Sequence, residues 1–147
     1  MYKHILIPTD GSATAEKAVQ AGLEFAKWAK AKVTVFTAMP DYRIPTSGEI
    51  AARKIMSIAE HERRSLAQAK KLHAKVARRA QTVGVKVGGT AALSDRPGEA
   101  IVAAAKKNGC DLIFIGSHGR KGLKALLLGS QTHEVLNRSS IPTLVYR

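Results

Sequence analysis

The chain has 147 residues, 45% of them hydrophobic and only 5% aromatic, which suits a single domain over 1–147 with an aliphatic core. Lys+Arg 24 against Asp+Glu 11 leaves a net charge of +13, a surface that attracts polyanions without saying which. No run of 18 uncharged apolar residues occurs, so no membrane span is expected, and the single cysteine, Cys110, excludes an internal disulfide or a thiolate metal cluster.

Met1-Tyr2-Lys3-His4 leads directly into an apolar run and lacks the layout of a secretory leader, so a cytoplasmic location is expected. Ile5-Leu6-Ile7 reads as a first strand ended by Pro8. In Thr9-Asp10-Gly11-Ser12, either Asp10 or Ser12 can cap the helix that runs on to Lys30. Ala18, Ala21, Phe25 and Trp28 recur at steps of three and four and predict its buried face. Val33 to Ala38 reads as a second strand.

Met39 to Gly48 holds Pro40 and Pro45 and predicts a loop. One long helix is expected from about Glu49 to Val83, with Leu66, Ala69, Leu72 or His73, Val76, Ala80 and Val83 on its inner stripe. Much of the positive charge lies between Arg53 and Arg79, as a solvated helix face would carry it. Gly84 suits a C-cap. Val85 to Ala92 reads as a third strand, where Gly88 and Gly89 suggest a bulge or an edge.

Pro97 opens a further helix that Asn108-Gly109 stops, and Cys110 is expected as a small apolar filler before the next strand. Leu112-Ile113-Phe114-Ile115 has the continuous apolar character of a central parallel strand. A glycine-rich loop follows, then a helix from about Gly129 to Arg138 and a last strand from Ile141 to Tyr146. Glu99 and Glu134 are expected to be solvated. Strand and helix alternate throughout, which predicts an α/β fold with an open parallel sheet and helices on both faces.

Ligands of such sheets sit beyond the carboxyl ends of the strands, where the strand order reverses. Pro8-Thr9-Asp10, Ala38-Met39 and the stretch from Gly116 onward fall at such ends. Gly116 and Gly119 allow close backbone approach to a ligand. Gly129 and Ser130 open a helix whose first amides and dipole favour an anion. Ser130 and Thr132 add hydroxyls, and Arg120 and Lys121 add positive charge. His118 is placed as a loop histidine near phosphate, and Ser117 as a turn residue. His61, His73 and His133 fit no metal spacing. No P-loop string and no Gly-x-Gly-x-x-Gly dinucleotide string occurs, so the features taken singly establish an anion site and no more.

The spacing of Gly116, Gly119, Gly129 and Ser130 is Gly-x2-Gly-x9-Gly-Ser, and it resembles the ATP-binding motif of the universal stress protein family. The blocks Ile5 to Ser12, Asp111 to Arg120 and Pro142 to Arg147 resemble the opening, central and closing segments of that family, in the same order. The resemblance implies a single open five-stranded parallel sheet in the order 3-2-1-4-5, of the adenine nucleotide alpha hydrolase-like or Rossmann-like kind. It implies an ATP- or AMP-binding regulatory or stress-response module, with Mg or Mn possible beside ATP. By position, Pro8, Thr9 and Asp10 would line the adenosine end, with Asp10 near ribose or a phosphate-bound metal. Ala38 would pack on adenine, and Ile115 and Gly116 would support ribose. Gly119, Gly129, Ser130, Gln131 and Thr132 would hold the phosphates. A homodimer through strand 141–146 is implied as well.

Two other functions are open to the sequence. A slow ATPase would use Arg120 or Lys121 as a charge clamp, but no general base accompanies them. A nucleic-acid-binding protein would account for the charge, but it lacks an aromatic stacking platform and would bind without sequence preference.

Overall fold

The computed structural model describes residues 1–53, 55–118 and 128–147. Five parallel strands form one sheet in the order β3-β2-β1-β4-β5. They are β1 (His4–Pro8), β2 (Lys32–Met39), β3 (Val87–Leu93), β4 (Leu112–Gly116) and β5 (Thr143–Tyr146). The helices are α1 (Ala13–Ala29), α2 (Ser47–Ala51), α3 (Ile58–Val83), α4 (Pro97–Lys107) and α5 (Ser130–Arg138).

Successive side chains of a strand point to opposite faces, so the sheet has two cores. Ile5, Ile7, Val33, Val35 and Phe114 pack with Val19, Leu23, Val76 and Ala80 on the side of α1 and α3. Leu6, Phe36, Ile113 and Ile115 pack with Ile101, Val102, Ala105 and Val135 on the side of α4 and α5. Cys110 joins the second core, and burial pushes its thiol up to about 11. A thiol so placed stays protonated at neutral pH and acts as the filler expected of it.

Three expectations are corrected by the packing. The buried face of α1 is Ala15, Ala18, Val19, Gly22, Leu23, Ala26 and Ala29, while Trp28 is 68% exposed. Ala18 of the predicted stripe is buried and Ala21 and Phe25 are partly buried against the same core, but the face is centred on small residues that let α1 lie close to the sheet. A Cβ at Gly22 would come within 2.7 Å of Ile7 Cδ1. The single helix expected from Glu49 to Val83 is two helices. Ser57 caps α3 by accepting from the Glu60 N–H, and the Tyr42 hydroxyl donates to the Met56 carbonyl just before it. Leu66, expected on the inner stripe, is 50% exposed.

The glycines of β3 mark an edge and not a bulge, since the register with β2 runs unbroken from Val33↔Val87 to Met39↔Leu93. Gly89 lies beneath His73, whose ring a Cβ there would meet at 2.5 Å. The ring Nε2 pairs with Thr37 Oγ1 at 3.0 Å, and burial holds the His73 pKa below its ordinary value. Glu99 and Glu134 are not simply solvated: Glu99 pairs with Arg96 and Arg138, and Arg138 also pairs with Glu134, which fastens α4 to α5.

Candidate functional site

The sheet order reverses between β1, the central strand, and β4. Their ladder is also the shortest: only Ile5↔Leu112 and Leu6↔Ile113 pair, whereas β1 and β2 pair from His4↔Lys32 to Pro8↔Phe36. Pro8 turns toward β4 and has no N–H to extend that ladder, and the expected crevice of an open α/β sheet lies beyond the carboxyl ends of these two strands, where the strand order reverses. Carried to the strand ends, the two registers set Asp10, Ala38 and Ser117 at one level.

The β1 side of the crevice is a compact turn. The Thr9 N–H donates to the Phe36 carbonyl at 2.9 Å, and Thr9 Oγ1 accepts from the Gly11 N–H at 3.2 Å. Asp10 Oδ1 accepts from the Ser12 N–H at 2.9 Å, and the Ser12 hydroxyl accepts from the Ala15 N–H at 3.2 Å. Ser12 is thus the cap of α1, and Asp10 shapes the turn before it. Gly11 sits at φ +76, in the left-handed region where glycine is favoured.

The β4 side is stitched to α5. The Ser117 N–H donates to the Tyr146 carbonyl at 2.7 Å, and the Gly129 N–H donates to the Ser117 carbonyl at 2.8 Å. The Thr132 hydroxyl donates to the Gly116 carbonyl at 2.8 Å. These bonds hold the first turn of α5 against the end of β4. No side chain among the described residues caps that turn at Gly129, and Ser130 is exposed beside it. An uncapped helix start with an exposed hydroxyl presents amide donors to an anion.

The structure brings Pro8, Thr9, Asp10, Ala38, Ile115, Gly116, His118, Gly129 and Ser130 to the same end of the sheet. Gly119 and Arg120 lie outside the described residues, as do Lys121 and Gly122. Two side chains expected at phosphates are used within the fold. Thr132 is buried with its hydroxyl on Gly116, and Gln131 Oε1 accepts from the Gly98 N–H at 2.7 Å, at the start of α4. Gly116 has a packing reason to be glycine, because a Cβ there would lie 3.2 Å from Ala18 Cβ. Ile115 is buried in the second core and supports the site from beneath.

His118 Nδ1 is 3.0 Å from Ser117 Oγ, a pairing the sequence did not suggest. Ser117 is only 6% exposed, so its hydroxyl orients the histidine ring and is poorly placed for attack on a substrate. Ser117 is also the residue of this region whose part the sequence undervalued, since its backbone joins β4, β5 and α5. Its place directly after the apolar run of β4 was the available signal. Among the described residues no group of three or more His, Cys, Asp or Glu side chains is placed to hold a metal.

The universal stress protein family model matches residues 1–147. The chain belongs to that family. Universal stress protein MJ0577 of Methanocaldococcus jannaschii is 34% identical over 162 residues, spanning 100% of this chain and 96% of its own. A solved structure of MJ0577 superposes with a TM-score of 0.79 at 33% identity, covering 99% of this chain and 95% of that one. Universal stress protein YxiE of Bacillus subtilis is 30% identical over 153 residues, with both chains covered in full. The fold is shared with a universal stress protein in complex with cAMP, at 22% identity and TM-score 0.67 over 99% of this chain and 97% of that one. It is shared as well with the Archaeoglobus fulgidus universal stress protein in complex with dAMP, at 19% identity and TM-score 0.67 over 99% and 98%. The family's sheet order, 3-2-1-4-5, is the one found here.

Proposed function

We propose that this universal stress protein binds an adenine nucleotide, ATP or AMP, beyond the carboxyl ends of β1 and β4, and that it acts as a nucleotide-dependent regulatory module. The observation that carries the proposal is the uncapped start of α5 at Gly129-Ser130, tied to the end of β4 and set beside the point where the strand order reverses. That helix start supplies amides, the Ser130 hydroxyl and a favourable dipole to phosphate. The glycine spacing from Gly116 to Gly129 supports the same use. Gln131 and Thr132 contribute there through their backbone, because their side chains serve the fold.

The β1 turn takes the adenosine end. Pro8 and Thr9 form a wall, Asp10 offers a carboxylate to ribose, and Ala38 leaves room for a flat base beside the end of β2. The cAMP and dAMP carried by two proteins of this fold are consistent with that ligand class. With ATP, Mg or Mn would neutralise phosphate charge, and Asp10 would be its one protein carboxylate beside phosphate oxygens and water, an arrangement usual for Mg. His118, Gly119 and Arg120 belong to the phosphate side of this proposal. A homodimer through strand 141–146 also belongs to it.

Thermal melting of the purified protein with ATP and with AMP tests the reading. A ligand at 100 times its Kd stabilises by about 2.7 kcal/mol and raises the melting temperature. Unchanged melting at millimolar concentrations of both nucleotides would refute the site.

A further inference from the structure

The edge of the sheet farthest from β5 carries a second feature, independent of the nucleotide crevice. A groove of about 410 Å³ lies between α3 and β3. Leu66, Ala69, His73 and Ala77 form its helical wall, and Val87, Gly89 and Ala91 lie on its strand wall. Lys70 is its one charged lining residue.

The strand wall is an edge with an open backbone. The Lys86 carbonyl accepts from the Val33 N–H, and the Ser94 N–H donates to the Met39 carbonyl. Even-numbered residues of β3 thus turn their backbone groups toward β2. Val87, Gly89, Ala91 and Leu93 turn theirs away from the sheet. Natural edges are blunted by charges, prolines or bulges. The sequence Val-Gly-Gly-Thr-Ala-Ala-Leu of β3 has no charge and no proline, and its register is unbroken.

The charge carried by the two walls themselves has one sign. Residues 63–94, which build both walls, contain eight Lys or Arg and no Asp or Glu. Lys75 and Arg79 reach Glu16 of α1, and Arg63 and Arg64 reach Glu60. Lys70, Lys71, Arg78 and Lys86 complete the set. The same residues include no Phe, Tyr or Trp, so the surface lacks the large aromatic platform on which single-stranded nucleic acid stacks.

We propose that the β3 edge and the α3 groove dock an extended acidic peptide segment of another protein, added to the sheet as a sixth strand. The outward amides and carbonyls of β3 would supply main-chain hydrogen bonds, alternate apolar side chains would enter the groove, and acidic ones would meet Lys70 and its neighbours.

A fluorescein-labelled decapeptide of alternating Glu and Val tests this by anisotropy on the full chain. The peptide of alternating Lys and Val, and a 20-nucleotide oligo-dA, are run beside it. The acidic peptide is expected to bind at least tenfold more tightly than the basic one. Lys70→Glu is expected to weaken it at least tenfold. Ala91→Pro removes only an outward donor, leaves the β2 ladder in place, and is expected to abolish binding. Hydrogen exchange at Val87, Gly89 and Ala91 should slow at least tenfold in the complex. Equal binding of both peptides, full binding by Ala91→Pro, or exchange left unchanged would overturn the proposal. So would Lys70-dependent binding of the oligonucleotide without the peptide, or a self-associated dimer that Ala91→Pro dissociates.

Discussion

Thr132 and Ser130 stand on the same turn of α5 with opposite fates. The Thr132 hydroxyl is buried on the Gly116 carbonyl, while Ser130 is exposed at the helix start. Thr132→Val leaves a part-buried carbonyl short of a donor, which costs about 1 kcal/mol. Urea unfolding is expected to show that loss. Ser130→Ala is expected to leave stability within about 0.5 kcal/mol, as exposed substitutions do, and to weaken ATP at least fivefold by titration calorimetry. If Ser130→Ala left ATP affinity unchanged, the hydroxyl would have no part in the phosphate site. Both residues were visible in the sequence as hydroxyls near a helix start. Which hydroxyl faces the ligand was not, because the Thr132 acceptor lies on β4 and is reached only after the sheet and α5 pack.

The elements show a similar division. α2 is five residues long and depends on its capping box. The Thr46 hydroxyl accepts from the Glu49 N–H, and Glu49 accepts from the Thr46 N–H at 2.7 Å and from Arg43. The Thr46 N–H first, then the Arg43 guanidinium, lower the Glu49 pKa from 4.5 to about 2. A depressed carboxylate pKa stabilises above the unfolded value and loses that contribution as pH falls through the folded one. α2 is therefore expected to hold at pH 5 and to unravel as pH falls from 4.5 toward about 2. The Thr46 amide resonance reports it, and Glu49→Gln should flatten the titration. A Thr46 resonance constant from pH 5 to 2 in the parent chain would rule it out. The sequence contained the signals for the break between α2 and α3, in Thr46-x-x-Glu49 and Ser57-x-x-Glu60. The apolar periodicity ran across both and suggested one helix, and the same periodicity placed Trp28 and Leu66 inside. Periodicity identifies a face of a helix, but the depth to which each residue on it sinks depends on the element it meets.

For the whole molecule, the test lies at the β5 edge. The Ile113 N–H donates to the Pro142 carbonyl and the Ser117 N–H to the Tyr146 carbonyl. Thr143 and Val145 consequently turn their backbone groups outward. Trp28, Phe25, Phe114 and Tyr146 form a chain of ring contacts with centroids 5.8, 5.9 and 6.2 Å apart, and Trp28 and Tyr146 are exposed. An open strand next to exposed aromatics suits pairing with a second copy. Sedimentation is expected to give twice the chain mass, and Val145→Pro, which keeps the β4 ladder, is expected to give monomers. A parent chain that sediments as a monomer would dismiss the dimer.

By itself the sequence determined the strand–helix alternation, the aliphatic core and the glycine spacing that marks the family, because these follow from local periodicity and from residues near one another in the chain. Only the tertiary structure decided that the start of α5 is tied to the end of β4, that the ends of β1, β2 and β4 lie level, and that Gln131 and Thr132 turn into the fold. Those outcomes depend on partners far apart in sequence, such as Gly98 with Gln131 and Ile5 with Leu112. A hydrogen bond of that kind has no address until the sheet has brought its two ends together.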